Sequence, residues 1–370
     1  MGEMTKDQMR TVVLLFGGRS SEHEISCVTA AGVLHAIDQS RFRVIPVGIT
    51  KTGSTVLVDA ERLDGFRLDG DELPHVDDNG TRVLWPASAT TRELSVIESD
   101  GRIRSLGDID VVFPTLHGPF GEDGTVQGLL ELVDLPYVGS GVLGSALCMD
   151  KHAVKTILSD SGVAVAPWNT ITRAQLTQDP SRVERLDEGL DYPLFVKPAR
   201  AGSSVGVTRV TQSAELPAAV DVAFAEDSIV LVESGVVGRE VEIAVLGGRG
   251  GGPTRTSSVV GEIVFSGRDF YDYEAKYLGA SGVDLELPAN VTDEELRSLQ
   301  DAAAEAFELA QCGGLARVDF FLTDAGPVLN EINTMPGFTP ISMYPSLWSA
   351  SGVEYTDLIS ELIDLALERS

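Results

Sequence analysis

The run from Val12 to Phe16 is apolar without interruption, ends at the pair Gly17-Gly18, and is followed at once by SSEHEISCVTAAGVLHAI, which has helical spacing. A short apolar run bounded by glycine predicts a buried strand, and a buried strand feeding a helix commits the chain to a layered α/β unit. FRVIPVGIT and DIDVVFPTLHG supply further strands, DGTVQGLLELVD a helix capped by Asp123, and LPYVGS another strand. The first helix is expected to open with a capping box, Ser21 with Glu24 three residues on. Strands alternating with helices predict a parallel sheet covered on both faces. Residues 51–106 carry turn residues and charge with no sustained period, and are expected to be an insertion of short strands and loops.

From MDKHAVKTILSDSG onward the rhythm changes. A helix leads to VAVAPW, and then LFVKPARAGSSVGVTRV and SIVLVESGVVGREVEIAVLG supply apolar strands broken by glycine-rich turns, the pattern of an antiparallel α+β unit. The tract GGRGGGPTRTSS (247–258) is expected to be a flexible, solvated hairpin. TDEELRSLQDAAAEAFELAQCGG predicts a helix with Thr292 and Glu295 as its capping box, and Leu296, Leu299, Ala303, Phe307 and Ala310 on one buried face.

Composition excludes several classes of function. The 370 residues include 28 basic and 56 acidic ones, a formal charge of -28, so no basic footprint for nucleic acid is present. No apolar run is long enough to span a membrane, and a cytoplasmic protein is expected. Cys27, Cys148 and Cys312 are odd in number and widely spaced, which predicts core residues rather than a disulfide framework or a CxxC metal site. An anionic substrate would have to be met by a local cluster of lysine, arginine, metal and backbone N–H groups.

Chemistry is suggested first by GLARVDFFL and VLNEINTMPG. Alternate side chains of a strand share a face, so Glu331 and Asn333 point the same way. With a three-residue loop of Asp324, Ala325 and Gly326, Thr323 faces Pro327 and Asp319 falls opposite Glu331. Two carboxylates about 4 Å apart at an effective dielectric near 20 repel by about 4 kcal/mol, so a positive group is expected between them. In FVKPARAGSSVGV, Lys197 closes a strand and Gly202, Ser203, Ser204 and Gly206 form a turn suited to phosphate, although such a turn alone is also a plain hairpin. FYDYEAKYLGASGVDLELP has no sustained period and is either a lid over a site or a solvent-facing connection. TLHGPFGEDG and GGRSSEHE lie at the carboxyl ends of strands, where open parallel sheets bind ligands, though their acids also favour a helix start.

The motifs GGRSSEHEIS, LHGPFGEDGTVQGLLELVDLPYVGSGVLGSALCMDK, KPARAGSSVGV, VEIAV, YDYEAKYL, ARVDFFL and NEINTMPGFTPISMYP, in this order, resemble the D-alanine:D-alanine ligases of the ATP-grasp superfamily. Each motif alone is weak; seven in register over nearly the whole chain are specific. The resemblance implies an α/β and α+β architecture, the ATP-grasp fold. It would comprise an N-terminal parallel-sheet, Rossmann-like domain (1–139, with 51–106 a variable insertion) and two α+β domains sandwiching ATP. These would be a central subdomain (140–233) and a C-terminal catalytic subdomain (234–370) with a lid loop at 266–286.

The implied reaction is ATP-dependent ligation of two D-alanines through an acyl phosphate, for peptidoglycan precursor synthesis. Asp319, Glu331 and Asn333 would hold two Mg²⁺ ions, with Mn²⁺ as a substitute. Lys151 and Lys197 would contact the α and β phosphates, and the turn Ser203, Ser204, Val205, Gly206 would close over them. Glu233 and the backbone near Val236 would meet adenine, and Glu240 the ribose. Glu22 would bind the first ammonium, Ser342 the second carboxylate, and Arg317 with the Gly337 backbone N–H the oxyanion. Lys276 would steady the transferring phosphoryl group, Tyr277 would tie the lid to Ser203 and Glu22, and His117 would join the catalytic set. The EAKY pattern is that of the dipeptide-forming ligases. A D-alanyl-D-serine or D-alanyl-D-lactate ligase and a catalytically silent nucleotide-binding module are the alternatives. Neither nucleic acid nor membrane is an implied partner, and a homodimer is expected.

Overall fold

A computed structural model describes residues 9–68, 73–265 and 283–369. The first part of the chain comprises β1 (Arg10–Gly17), α1 (His23–Ala36), β2 (Phe42–Ile49), β3 (Thr55–Leu57), α2 (Ala60–Asp64), β4 (Arg82–Leu84), β5 (Glu93–Ile97), β6 (Ile103–Asp108), β7 (Val111–Pro114) and α3 (Thr125–Leu132). β1 lies between β2 and β7, parallel to both, and β3 adds antiparallel at the outer edge of β2. Strand alternation sends Val12, Leu14 and Phe16 into one core and Val13 and Leu15 into another, so the sheet is covered on both faces as its apolar run requires. The insertion holds β4, β5 and β6 as a small antiparallel sheet, together with β3 and α2.

Three local expectations for this part are corrected. α1 starts one residue later than a Ser21–Glu24 box requires; Glu22 takes the cap position without capping the helix through its side chain, and Glu24 is drawn away to pair with Lys51. The cap of α3 is Gly124 rather than Asp123, whose carboxylate accepts from Thr125 N–H at 3.0 Å and Phe120 N–H at 2.8 Å and so braces the turn before the helix. LPYVGS contributes one bridge, Tyr137 against Val112, and not a strand.

The middle of the chain contains α4 (Val142–Met149), α5 (Lys151–Asp160), β8 (Trp168–Thr172), α6 (Arg173–Gln178), β9 (Leu194–Pro198), β10 (Thr208–Val210), α7 (Leu216–Glu226) and β11 (Ile229–Ser234). Its sheet, in the order β10-β9-β11-β8, is antiparallel throughout. Val196, Val230 and Val232 pack with Leu216, Val220 and Ala223 of α7 on one face, which leaves Lys197 and Glu233 for the other.

The last part contains β12 (Arg239–Leu246), β13 (Arg255–Thr256), β14 (Gly261–Phe265), β15 (Val283–Glu286), α8 (Asp293–Leu309), β16 (Leu315–Thr323), β17 (Gly326–Asn333), α9 (Met343–Ala350) and α10 (Tyr355–Arg369). β15-β14-β12-β16-β17 form an antiparallel sheet backed by α8, whose Leu299, Ala303 and Phe307, with Ala310 at its C-terminal cap, are buried as the spacing predicts, while Leu296 is only half-buried. The helix α10 runs back to the first sheet: Leu358, Ile359, Leu362 and Ile363 share a core with Val12, Leu14 and Phe113.

As expected of a solvated hairpin, β13 pairs antiparallel with β12 and most of 247–258 is exposed, while Arg249 and Arg255 both bind Glu361 on α10 and Arg249 also reaches Asp364. One further expectation changes. The turn between β16 and β17 has two residues, not three, and pairs Thr323 with Gly326 and Leu322 with Pro327. A bulge between Asp319 and Phe320 then adds the missing residue, so Asp319 still falls opposite Glu331.

The Thr292–Glu295 capping box is complete, with Thr292 Oγ1 accepting from Glu295 N–H at 3.2 Å and the Glu295 carboxylate accepting from Thr292 N–H at 2.7 Å. Thr292→Ala is expected to cost about 1 kcal/mol, measured as a lower denaturant midpoint with an unchanged slope.

Candidate active site

A cleft of about 520 Å³ separates the central and C-terminal sheets and is lined by Lys151, Lys197, Ser203, Ser204, Glu233, Val236, Glu240, Asp319 and Glu331, among others. Strand periodicity explains the supply. β12 turns Glu240 and Glu242 to this side, β16 contributes Arg317 and Asp319, and β17 contributes Glu331.

The charge expected between the facing acids is present in the fold. Arg317 forks onto Asp319, Nε to Oδ1 and Nη2 to Oδ2 at 2.7 Å each, and its Nε also lies 3.2 Å from Glu242. The Asn333 amide donates to Asp319 Oδ2 at 2.9 Å. Lys151 Nζ stands 3.9 Å from Glu331 and donates to the Ala201 carbonyl at 2.8 Å. Burial opposes the Arg317 charge, but Asp319 and Glu242 outweigh it and raise the guanidinium well above its ordinary range.

A second charged group anchors the cleft floor. Glu233 is buried between Lys155 and Lys197, the latter 2.7 Å from Oε1. Burial would push the Glu233 carboxyl up; the two lysines overcome it and hold the group below its ordinary value. Burial lowers Lys155, with Glu233 opposing. Removing one member of such a cluster leaves a buried charge short of its partner, which costs about 3–5 kcal/mol for buried pairs.

The serine-rich turn crosses to the first domain. Ser203 and Ser204 adopt φ of +50° and +57°, conformations that cost on the order of 1–3 kcal/mol each in non-glycine residues. Ser203 Oγ donates to Glu22 Oε1 at 2.6 Å. Opposite this contact is Gly118, at φ +70°, where a Cβ would lie 2.6 Å from Glu22 Oε2. His117 is buried, bonding to Met335 O through Nδ1 at 3.0 Å and lying 3.3 Å from Thr29 Oγ1 through Nε2. Burial lowers its pKa against the opposing charge of Glu22, which favours the neutral ring donating to Met335. Beyond Met335, Gly337 lies against Ser342, whose Oγ accepts from Thr339 N–H at 3.1 Å as α9 begins.

Most of the expected site residues therefore converge. Glu22, His117, Gly337 and Ser342 form one end, linked through Ser203 to the lysines, arginine and acids of the cleft. Val205 and Gly206 belong to the same turn but do not line the cleft; Gly206 packs against Pro198 and Glu226. Lys276 and Tyr277 lie outside the described residues. Sequence reasoning passed over Lys155, which follows Lys151 by one helical turn, and Glu242, which alternates with Glu240 on β12. It also passed over Glu122 of GEDG, whose carboxylate accepts from Gly118 N–H at 2.7 Å and Met335 N–H at 3.0 Å and so joins the two domains. Burial, then the nearby Glu22 charge, push the Glu122 carboxyl up to about 8.

Asp319, Glu331 and Asn333 offer two carboxylates and an amide oxygen, a donor set that fits a hard divalent cation. No group of three or more His, Cys, Asp or Glu residues able to hold a metal occurs among the described residues, so an ion here would complete its shell with water or a ligand's oxygens. Such a requirement suits Mg²⁺ bound together with phosphate.

The family model for the D-ala D-ala ligase N-terminus matches residues 11–140, and that for the D-ala D-ala ligase C-terminus matches residues 157–364. A D-alanine--D-alanine ligase of Arthrobacter sp. (strain FB24) is 49% identical over 361 residues, 97% of this chain and 94% of its own length. That of Kineococcus radiotolerans is 49% identical over 374 residues, covering 99% of each chain. Among solved structures, the VanG D-Ala:D-Ser ligase of Enterococcus faecalis superposes with a TM-score of 0.82 at 35% identity over 97% of this chain and 100% of that one. The D-alanine-D-alanine ligase of Coxiella burnetii gives 0.79 at 34% identity over 98% and 95%.

Lys155→Ala is expected to lower unfolding free energy by about 3 kcal/mol in a denaturant titration, because Glu233 then keeps only Lys197. For Glu122 the fold favours the neutral acid, so its contribution to stability is full below the ordinary value of 4.5 and is lost as pH rises through about 8. In cation- and nucleotide-free protein, Glu122→Gln should therefore gain stability relative to the unsubstituted chain between these pH values. A stability difference that stays flat with pH would show that Glu122 does not titrate there.

Proposed function

The chain belongs to the D-alanine:D-alanine ligase family, and on that premise we propose that it joins two D-alanines into D-alanyl-D-alanine at the expense of ATP. The observation that carries this reading is the convergence, in and beside one cleft, of an acid pair with its arginine, a lysine-lined floor and a strained serine turn reaching Glu22. A carboxylate is a poor electrophile, so amide formation needs an activating group and a place where charge can gather without water.

In this reading Glu233 with the backbone near Val236 receives adenine and Glu240 the ribose, while Lys151 and Lys197 meet the phosphates under the Ser203–Gly206 turn. Asp319, Glu331 and Asn333 would hold Mg²⁺, which would supply neutralisation of the phosphate charge. Glu22 receives the ammonium of the first D-alanine, and its carboxylate is oriented by Ser203. Ser342 binds the carboxylate of the second. Arg317, kept charged by Asp319 and Glu242, is assigned with the Gly337 N–H to the oxyanion. His117, held neutral by burial, fixes the loop around Met335 and Gly337 through its Nδ1–H. Lys276 is assigned to the phosphoryl group and Tyr277 to lid closure, which keeps water from the activated carboxyl. The domain limits 1–139, 140–233 and 234–370, a homodimeric assembly and a cytoplasmic setting belong to the same proposal. Among the described residues no helix is long and apolar enough to cross a membrane.

The direct assay is ADP release by purified protein with Mg²⁺ and D-alanine, with L-alanine, D-serine and D-lactate as competing second substrates. Strong release with D-alanine and little with the other three is the expected result; D-serine or D-lactate outperforming D-alanine would move the assignment to the related ligases. Arg317→Ala should lower turnover roughly 100- to 1000-fold while nucleotide binding persists, whereas Asp319→Asn should weaken use of the metal nucleotide. Turnover unchanged in Arg317→Ala would remove the oxyanion role.

A further inference from the structure

Two thiols that the ligation chemistry does not use lie side by side behind the cleft. Cys148, in the last turn of α4, and Cys312, between α8 and β16, place their Sγ atoms 3.5 Å apart across 164 residues of chain, and both are free. The approach is built into the backbone. Gly144 sits one helical turn before Cys148 on the same face of α4, and a Cβ there would lie 2.5 Å from the Gln311 carbonyl oxygen. Any side chain at 144 would hold the two segments apart. Cys148 is buried and Cys312 partly exposed, so a small oxidant reaches Cys312 first. The contact with Cys312 and burial together push the Cys148 thiol well above its ordinary range, which keeps it a protonated donor toward the Cys312 sulfur. Cys27 is buried in the core of the first domain, away from the pair.

We propose that Cys148 and Cys312 form an oxidative modification site that closes to an intramolecular disulfide when a peroxide reaches Cys312. The Cys312 thiolate attacks one oxygen of hydrogen peroxide, the O–O bond breaks, and hydroxide leaves to take up a proton as water, giving a sulfenic acid. The Cys148 sulfur, giving up its proton, then attacks the sulfenic sulfur; the S–O bond breaks and a second water departs. The thiol pair loses two electrons and the peroxide is reduced to two waters. Closure brings the sulfurs from 3.5 Å to about 2.05 Å. The bridge would tie the segment leading into Lys151 to the segment leading into Arg317 and Asp319, across the base of the site. It requires neither substrate nor nucleotide, so its test is independent of the ligase reading.

Full-length protein is treated with hydrogen peroxide, alkylated and digested without reductant. The expected product is a Cys148–Cys312 linked peptide pair, two hydrogens lighter than its separate parts and lost on reduction. The thermal midpoint should rise by about 5 °C and return with a thiol reductant, as expected for a link closing so long a loop. In Cys148→Ser the link should vanish and Cys312 should accumulate as a sulfenic acid trapped by a cyclic-dione probe. Direct passage of Cys312 to sulfinic acid in the unsubstituted protein without a linked pair would overturn the proposal. So would a Cys148→Ser variant that traps no more probe than the unsubstituted chain.

Discussion

The cleft is organised around two carboxylates set opposite each other on adjacent strands. Asp319 and Glu331 face one another across β16 and β17, a placement that would destabilise an isolated hairpin by like-charge repulsion. The surrounding chain offsets it locally. Arg317 forks onto Asp319, Asn333 donates to it, and Lys151 approaches Glu331 from the central domain. The arrangement leaves oxygen donors facing the cleft with compensating positive charge beside them, which is what binding a divalent cation with a polyanion demands.

That constraint propagates outward. Lys151 stands beside the acid pair where Asp150 caps α5 and Lys151 N–H donates to the Ala199 carbonyl, which ties the start of α5 to the end of β9. The same loop carries Ser203 to Glu22 in the first domain. Glu122 and His117 meet the Met335 backbone from the opposite side, and α10 packs the end of the chain onto the first sheet. Polar contacts of Glu122, His117 and Ser203 and the apolar packing of α10 therefore join the first sheet's segment to the rest of the chain. The strain of two serines at positive φ is tolerated where Glu22 fixes the first of them.

Much of this was legible from local pattern. The apolar run of β1 predicted a sheet buried on both faces, the spacing in residues 293–310 predicted the buried face of α8, and the Thr292–Glu295 box predicted where that helix starts. Expectations failed where a distant partner competed with a local one. Glu24 serves Lys51 instead of capping α1. The β16–β17 register shows the same limit at shorter range. The expected pairing of the two acids occurs, but through a two-residue turn and a bulge rather than through a three-residue loop.

The sequence by itself determined which residue types the site contains and which strands present them, because strand alternation and motif order are properties of neighbouring residues. Only the tertiary structure decided which charges neutralise which. Lys155 and Lys197 share Glu233, Arg317 reaches Glu242, and Cys148 meets Cys312, all of them pairings between segments that no local period relates. The physical reason is that a buried charge or thiol takes its character from whatever packing brings within a few ångströms, and that neighbourhood exists only once the sheets and helices have closed on one another.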